Sequence, residues 1–389
     1  MSEGLLMPID AQELGHLVAL RRDLHAHPEL GFHEHRTAGI VADALRSAGL
    51  EVTTGFGGTG VVGTLRHGPG NGAIGFRADM DALPFVEATG LPYASTTPGV
   101  FHGCGHDGHS ATLIGAARFL ARTRDFSGTI HFIFQPAEEG LGGADAMVRD
   151  GLFDRFPCDR VFALHNWPDL PLGSARTRHG PIMAAADRFD ITISGGGGHA
   201  AMPHQTPDAI LAAATLIGEL NTIVARRVAP TESAVLSVTR VTGGDSHNVI
   251  PAEVKLTGTV RTFSVAVQDR IEESLRAICE GVARVSETQV SVDYIRYYPA
   301  TINDADSADI AVAAARAVCP DAQLAADPAF TSEDFAFMLR ARPGAYLWLG
   351  QRDDGHAAPL HHPGYDFNDA VIPSGIAWFA QLARILLPA

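Results

Sequence analysis

Hydrophobic positions along this chain change period from segment to segment. Up to about residue 180, stretches with apolar residues three and four apart alternate with short apolar runs, the mark of an α/β layer architecture. The spacing predicts helices over 14–25, 37–48 and 109–122, and strands over 61–65, 73–77, 129–135 and 160–166. These strands are largely apolar, as buried strands are. From about 183 the pattern shifts. Residues 188–194 alternate as a half-buried strand, a helix opened by a proline follows over 207–227, and two strands (234–241, 252–263) precede an amphipathic helix at 267–285 and a strand at 289–294. That β-α-β-β-α-β order is the ferredoxin-like unit. Beyond Tyr298 the α/β style resumes, with helices over 306–318, 333–339 and 372–387 and a strand over 345–349. The expected organisation is a discontinuous domain, 1–182 and 297–389, with a smaller domain, 183–296, inserted between. Residues 195–198, four glycines, read as a turn inside the insert.

Length and composition narrow the function. At 389 residues the chain exceeds one hydrophobic core, which favours two domains. With 46% hydrophobic and 19% charged residues it reads as an ordinary globular protein. A net charge of -15 and the absence of any basic block argue against nucleic acid or an anionic membrane as partner. Apolar runs such as 385–387 are far short of the roughly 20 residues a bilayer needs. Residues 1–12 lack the pattern of a signal peptide, so a cytoplasmic location is expected. A reducing compartment would keep Cys104, Cys158, Cys279 and Cys319 as thiols.

Cys104 stands apart because of its neighbours. The segment FHGCGHDGH at 101–109 sets a thiol, three imidazoles and a carboxylate among three glycines, which let such a loop fold around a small object. Cys and His are borderline ligands suited to Zn and its neighbours. A second segment, QPAEEG at 135–140, follows a predicted strand, where α/β sheets place their active sites. Adjacent residues in extended backbone point in different directions, so Glu138 and Glu139 can divide metal binding from proton abstraction. His165, at another strand end, and His361, in LHHP at 360–363, supply further imidazoles. A serine-hydrolase elbow and a P-loop are both missing. A thiol redox role lacks a Cys-x-x-Cys partner.

Taken in order, these segments resemble the M20 metallopeptidase family, in particular its amidohydrolase branch of hippurate hydrolases, bacterial aminoacylases and plant auxin-conjugate hydrolases. The resemblance runs over essentially the full chain. It is carried by RDLH (22–25), HPELG (27–31), FRADMDALP (76–84), HGCGHD (102–107), QPAEE (135–139), GGHAAMPH (197–204), NVIP (248–251), TSEDF (331–335) and LHHP (360–363). It implies a zinc-exopeptidase-like α/β catalytic domain, a mostly parallel sheet flanked by helices, with the ferredoxin-like α+β insert serving dimerisation. By the same resemblance, Cys104, His106, Glu139, His165 and His361 hold two divalent metals, Mn or Zn with Co and Ni as further candidates, and Glu138 is the general base. Asp79 would orient a ligand, and His199 would reach the site from a dimer partner. Asn248 and Arg261 are candidates for contacting the substrate. Asp107 and His109 are expected to cap and hydrogen-bond rather than ligate. Arg77 stands where other M20 branches carry a metal-binding histidine and is left out of the ligand set. The motif favours His361 over His362. The implied activity is hydrolysis of N-acyl amino acids, with dipeptide or aminobenzoyl-glutamate cleavage as the sister possibility. A metal-binding scaffold without turnover would predict loss of the base, and Glu138 is present.

Overall fold

The apolar runs read as buried strands form the centre of an eight-stranded sheet. In the computed structural model, which describes residues 9–389, its order is Glu51–Phe56, Gly60–His67, Gly128–Gln135, Ala73–Asp79, Arg160–Pro171, Gly344–Arg352, Ser174–Thr177 and Asp321–Leu324. Most of the 1–12 segment read for a leader lies outside the described residues. The middle four strands run parallel, with antiparallel pairs toward both edges. Helices Ala11–Ala26, His106–Thr123 and Ile372–Leu386 pack together beside it. Phe76, Phe132, Leu113, Ile114, Ile376 and Trp378 are fully buried in the shared core. Each such side chain contributes roughly 1.5–3 kcal/mol by leaving water.

Expectation and structure part at the sheet edges. Strands Glu51–Phe56 and Asp321–Leu324 are largely exposed and polar, so no apolar run announced them. The helix expected at 333–339 begins later, as Ala336–Ala341. Asp334, just before it, turns its carboxylate inward to accept from Gln135 Nε2 at 2.7 Å and from the Ala144 amide at 2.9 Å.

The chain divides into two units. One takes the chain up to Ile182 with Thr301–Asp327 and Asp334–Ala389, and the other takes Met183–Ala300 with Pro328–Glu333. In the second unit an antiparallel four-stranded sheet runs Ala234–Thr242, Glu253–Thr262, Ala185–Ser194, Gln289–Tyr298. That is the ferredoxin-like order. Helix Val265–Ser286, capped by the Ser264 side chain, buries Val267, Ile271, Leu275, Ile278 and Val282 along one stripe. The other layer helix is broken. Pro207 lies before the cap Asp208, Ala209–Leu220 ends at Asn221, and Thr222–Arg227 follows. The Asn221 amide and Thr222 hydroxyl donate to the carbonyls of Ile217 and Glu219, at 2.7 Å each, competing with helical hydrogen bonds. The glycine turn leads into a two-residue pairing of Gly198–His199 with Val249–Ile250. Among the described residues no helix is long and apolar enough to cross a membrane.

Candidate metal centre

The carboxyl ends of the parallel strands carry the chemistry, as in open α/β sheets generally. Asp79 closes one strand, Glu138 and Glu139 follow the strand ending at Gln135, and His165 lies on the next. Helix His106–Thr123 presents Cys104 and His106 from its N-terminal end. Gly105, between them, has φ 93°, and a Cβ there would lie 2.4 Å from Asn166 Oδ1 and 2.5 Å from the Tyr365 hydroxyl. Only glycine fits that position.

Among the sets of three donors that result, each with its ligand atoms within 4.8 Å of one another, one joins Cys104, His106 and His165 and another Cys104, Glu139 and His361; a further set joins His106, Glu138 and Glu139. Cys104 belongs to the first two. Its sulfur is 3.4 Å from His165 Nε2, and Glu139 Oε1 is 3.2 Å from His361 Nε2. The neighbours fix the histidine tautomers. His106 Nδ1 donates to the Asp81 carbonyl at 2.9 Å, and His165 Nδ1 to the Asn166 carbonyl at 2.6 Å. A carbonyl only accepts, so each Nδ1 keeps its proton and Nε2 is the atom that each ring turns toward the other donors. His106 Nε2 and Glu139 Oε1 are buried and make no hydrogen bond. Buried atoms of this kind are normally satisfied, and a cation among two carboxylate-flanked imidazoles and a thiol would satisfy them. The donor set fits divalent metal ions.

The charges and burial around the donors set which of them hold protons. Burial pushes the Cys104 thiol well above its ordinary range, and Glu139, Glu138 and Asp79 add to it. Burial pulls His106 down, but Asp79 and Asp81 outweigh it and push its pKa up to about 10. The same burial, with His109 and His106 nearby, holds His165 well below its usual value. His165 is thus neutral, as a ligand must be.

The two loops that complete the set are held in costly backbone. Ala137 (φ 55°) and His361 (φ 62°) are both left-handed, a conformation worth roughly 1–3 kcal/mol of strain outside glycine. The His361 amide donates to the Gly103 carbonyl at 2.8 Å. His362 instead receives the Gly364 amide on Nδ1 at 3.0 Å, and it belongs to none of the donor sets among the described residues. Glu138 is buried, with Oε1 accepting the Asp334 amide at 3.4 Å.

A model of peptidase family M20/M25/M40 matches residues 75–385. The chain belongs to that family. As an M20 protein it is 39% identical over 374 residues to the hippurate hydrolase of Campylobacter jejuni, covering 95% of this chain and 96% of the relative. The N-acetylcysteine deacetylase of Bacillus subtilis is 37% identical over 374 residues, covering 95% and 97%. Among solved M20 structures, the YXEP protein of Bacillus subtilis, described as a dinuclear metal binding peptidase, superposes with a TM-score of 0.85. It is 35% identical, covering 97% of this chain and 99% of that one.

The M20 site contains more than its motifs announce. Asp79, expected to orient a ligand, accepts from Arg77 at 2.8 Å and from His109 Nδ1 at 2.6 Å, and its Oδ2 lies 3.6 Å from His106 Nε2. His106 is held by Asp81. Arg77, buried, bridges Asp79, Gln135 and Asp334. Asp107 does not cap its helix, whose cap position is Gly105 without a side-chain bond. It accepts from His25 Nδ1 at 2.8 Å, with Arg21 at 3.6 Å. Asn166 donates through Nδ2 to the Tyr365 hydroxyl at 2.6 Å, a contact between distant segments that no local motif marks. His199, Asn248 and Arg261 lie in the second unit. His199 is exposed, its Nδ1 accepting from Ala201 at 3.1 Å. Asn248, also exposed, is next to Val249, the strand partner of His199. Arg261 is half-buried on another strand, donating to the Thr259 hydroxyl and, at 3.0 Å, to the Val260 carbonyl.

Proposed function

We propose that this M20 protein is a metal-dependent amidohydrolase that cleaves the amide bond of N-acyl amino acids, N-acetyl or N-benzoyl, to a carboxylate and a free amino acid. The observation that carries the reading is the thiol of Cys104 shared between two donor sets, with the Glu138 carboxylate beside Glu139. In this reading Cys104, His106, Glu139, His165 and His361 hold two divalent metals, Mn or Zn, with Co and Ni as further candidates. Thiolate and imidazoles suit Zn, Co and Ni, and the Glu139 oxygens accommodate Mn. The activities in the names of the Campylobacter and Bacillus relatives, hippurate hydrolysis and N-acetylcysteine deacetylation, support this substrate class.

Bound there, divalent metals supply Lewis acidity that polarises an acyl carbonyl and brings the pKa of a coordinated water toward about 7. Glu138 accepts a proton on its carboxylate as the nucleophile forms and returns it to the leaving nitrogen. Its burial beside Asp334 keeps that carboxylate in one orientation. His199, from the second unit of a partner subunit, donates to the developing oxyanion. Asn248 and Arg261 offer amide and guanidinium donors to the substrate's oxygens. The protein in this account is a cytoplasmic homodimer or higher homo-oligomer formed through residues 183–296.

The test is to strip the metal with a chelator, restore Mn, Zn, Co or Ni separately, and follow amino acid release from N-acetyl, N-benzoyl, indoleacetyl and dipeptide substrates. Metal-dependent release from acyl amino acids is expected. Release from none of the panel refutes the function, and release from dipeptides alone moves it to the peptidase reading.

A further inference from the structure

Glu34 is fully buried and immediately precedes helix His35–Ser47, yet its carboxylate does not cap that helix. The first amides there, of Arg36 and Thr37, go to Glu29 at 3.0 and 2.9 Å. Glu34 reaches inward instead. Its Oε1 accepts the Ala137 amide at 2.8 Å, and its Oε2 the Thr59 hydroxyl at 2.5 Å. Burying a carboxylate is costly, so the bonds it makes there matter. Ala137 is the left-handed residue directly before Glu138 and Glu139. Outside glycine that backbone is strained. A buried carboxyl oxygen accepting its amide at 2.8 Å is a local restraint on that backbone.

The rest of the turn is pinned in the same manner. Asp81 Oδ2 takes the Glu139 amide at 2.9 Å, Asp334 Oδ2 takes the Ala144 amide at 2.9 Å, and the Gly143 amide returns to the Ala137 carbonyl at 3.0 Å. Three buried carboxylates therefore hold the segment 137–144, the turn and the start of the helix Gly143–Arg149, through its backbone. The grip on Ala137 is the one that acts upstream of both glutamates, since relaxing φ at 137 to a negative value would swing the two side chains together. Glu138 and Glu139 lie in the turn that follows, so the backbone of 137 sets the direction of both side chains, with Glu139 Oε1 3.2 Å from His361 Nε2.

We propose that Glu34 is a positioning residue for the Glu138–Glu139 pair: by holding Ala137 left-handed it assigns Glu139 to the metal donors and leaves Glu138 to move protons. This rests on the roles proposed above for those two glutamates. The step involves no bond made or broken by Glu34 itself.

The decisive comparison uses Glu34→Ala, Glu34→Gln and the double variant Glu34→Ala/Ala137→Gly. For each, kcat and KM are measured, together with zinc affinity of the metal-stripped protein by competition with a chromophoric chelator. Glu34→Ala is expected to lower kcat and zinc affinity by about 10–100-fold, with KM moving by less than about twofold because binding groups are untouched. Glu34→Gln, which keeps an acceptor for the amide, loses less than Glu34→Ala. Glycine adopts positive φ without strain, so Ala137→Gly recovers much of the lost kcat in the Glu34→Ala background. A purely structural role would lower the melting temperature and give no such rescue. Parent-like kcat and zinc affinity in Glu34→Ala, or no recovery in the double variant, overturns the proposal. If Glu34→Ala does not fold, Thr59→Val with and without Ala137→Gly carries the same comparison. Glu138→Gln is assayed alongside: full turnover by that variant overturns the reading of the base, whereas an inactive Glu138→Gln with a parent-like Glu34→Ala overturns the positioning role alone.

Discussion

His106 Nδ1 donates to the carbonyl of Asp81 across 2.9 Å, and Asp81 Oδ2 accepts the Glu139 amide at 2.9 Å. One residue thus aims two donors that come from different elements, a helix start and a strand-end turn. Asp81→Ala keeps the carbonyl but frees the turn. Metal affinity is expected to fall about 10–100-fold, read by chelator competition. Unchanged affinity would show that Asp81 merely fills space.

Metal uptake should release protons. Cys104, held well above its ordinary pKa by burial and the surrounding carboxylates, and His106, at about 10, both carry protons near neutrality before a metal arrives. A metal must displace them, so its apparent affinity rises with pH between about 6 and 8. Calorimetry of metal binding in buffers of different ionisation heat measures the release. Identical heats in every buffer would contradict it.

Much of the site was legible because ligand chemistry requires rare residue types at fixed places. Cys104, His106, Glu139, His165 and His361 come close together; Cys104, His106 and Glu139 lie near a helix start or strand end, while His165, expected at a strand end, lies within the longer strand Arg160–Pro171. What escaped was the packing around them. Asp81, Asn166 and Tyr365 act through hydrogen bonds between segments far apart in sequence, which no local pattern encodes. His361 could be told from His362 by motif alone, while the geometry separates them by what each ring touches. In the fold, periodicity found the buried strands and missed the exposed edges. It also ran through Asn221, where the apolar spacing continues but side-chain bonds to the backbone end the helix.

Arg77 is the cation that makes this carboxylate-rich interior tolerable. Its guanidinium lies 2.8 Å from Asp79 and 3.1 Å from Asp334, all of them buried. Arg77→Met would leave two buried carboxylates without that partner and destabilise the fold by roughly 3–5 kcal/mol. Urea denaturation measures the loss, and a change under about 1 kcal/mol would contradict the assignment.

His25 gives stability a pH signature. Burial opposes its charge, but Asp107 at 2.8 Å and Glu87 at 3.4 Å push its pKa up to about 9. The folded protein then binds this proton more tightly than the unfolded chain, whose histidines titrate near about 6.5. The contribution is full below about 6.5 and disappears as pH rises through about 9. With chelator present throughout, the parent's urea midpoint should fall over that interval more than that of His25→Gln. Parallel profiles for the two would exclude the effect.

The most direct test of the account is Glu138→Gln, an isosteric change that removes the proton acceptor and leaves the five donors in place. With metal content measured on the same sample, release of amino acid from N-acetyl and N-benzoyl substrates should collapse, by about 100-fold or more, while the metal stays bound. Turnover at the parent's rate with metal retained would contradict the central claim.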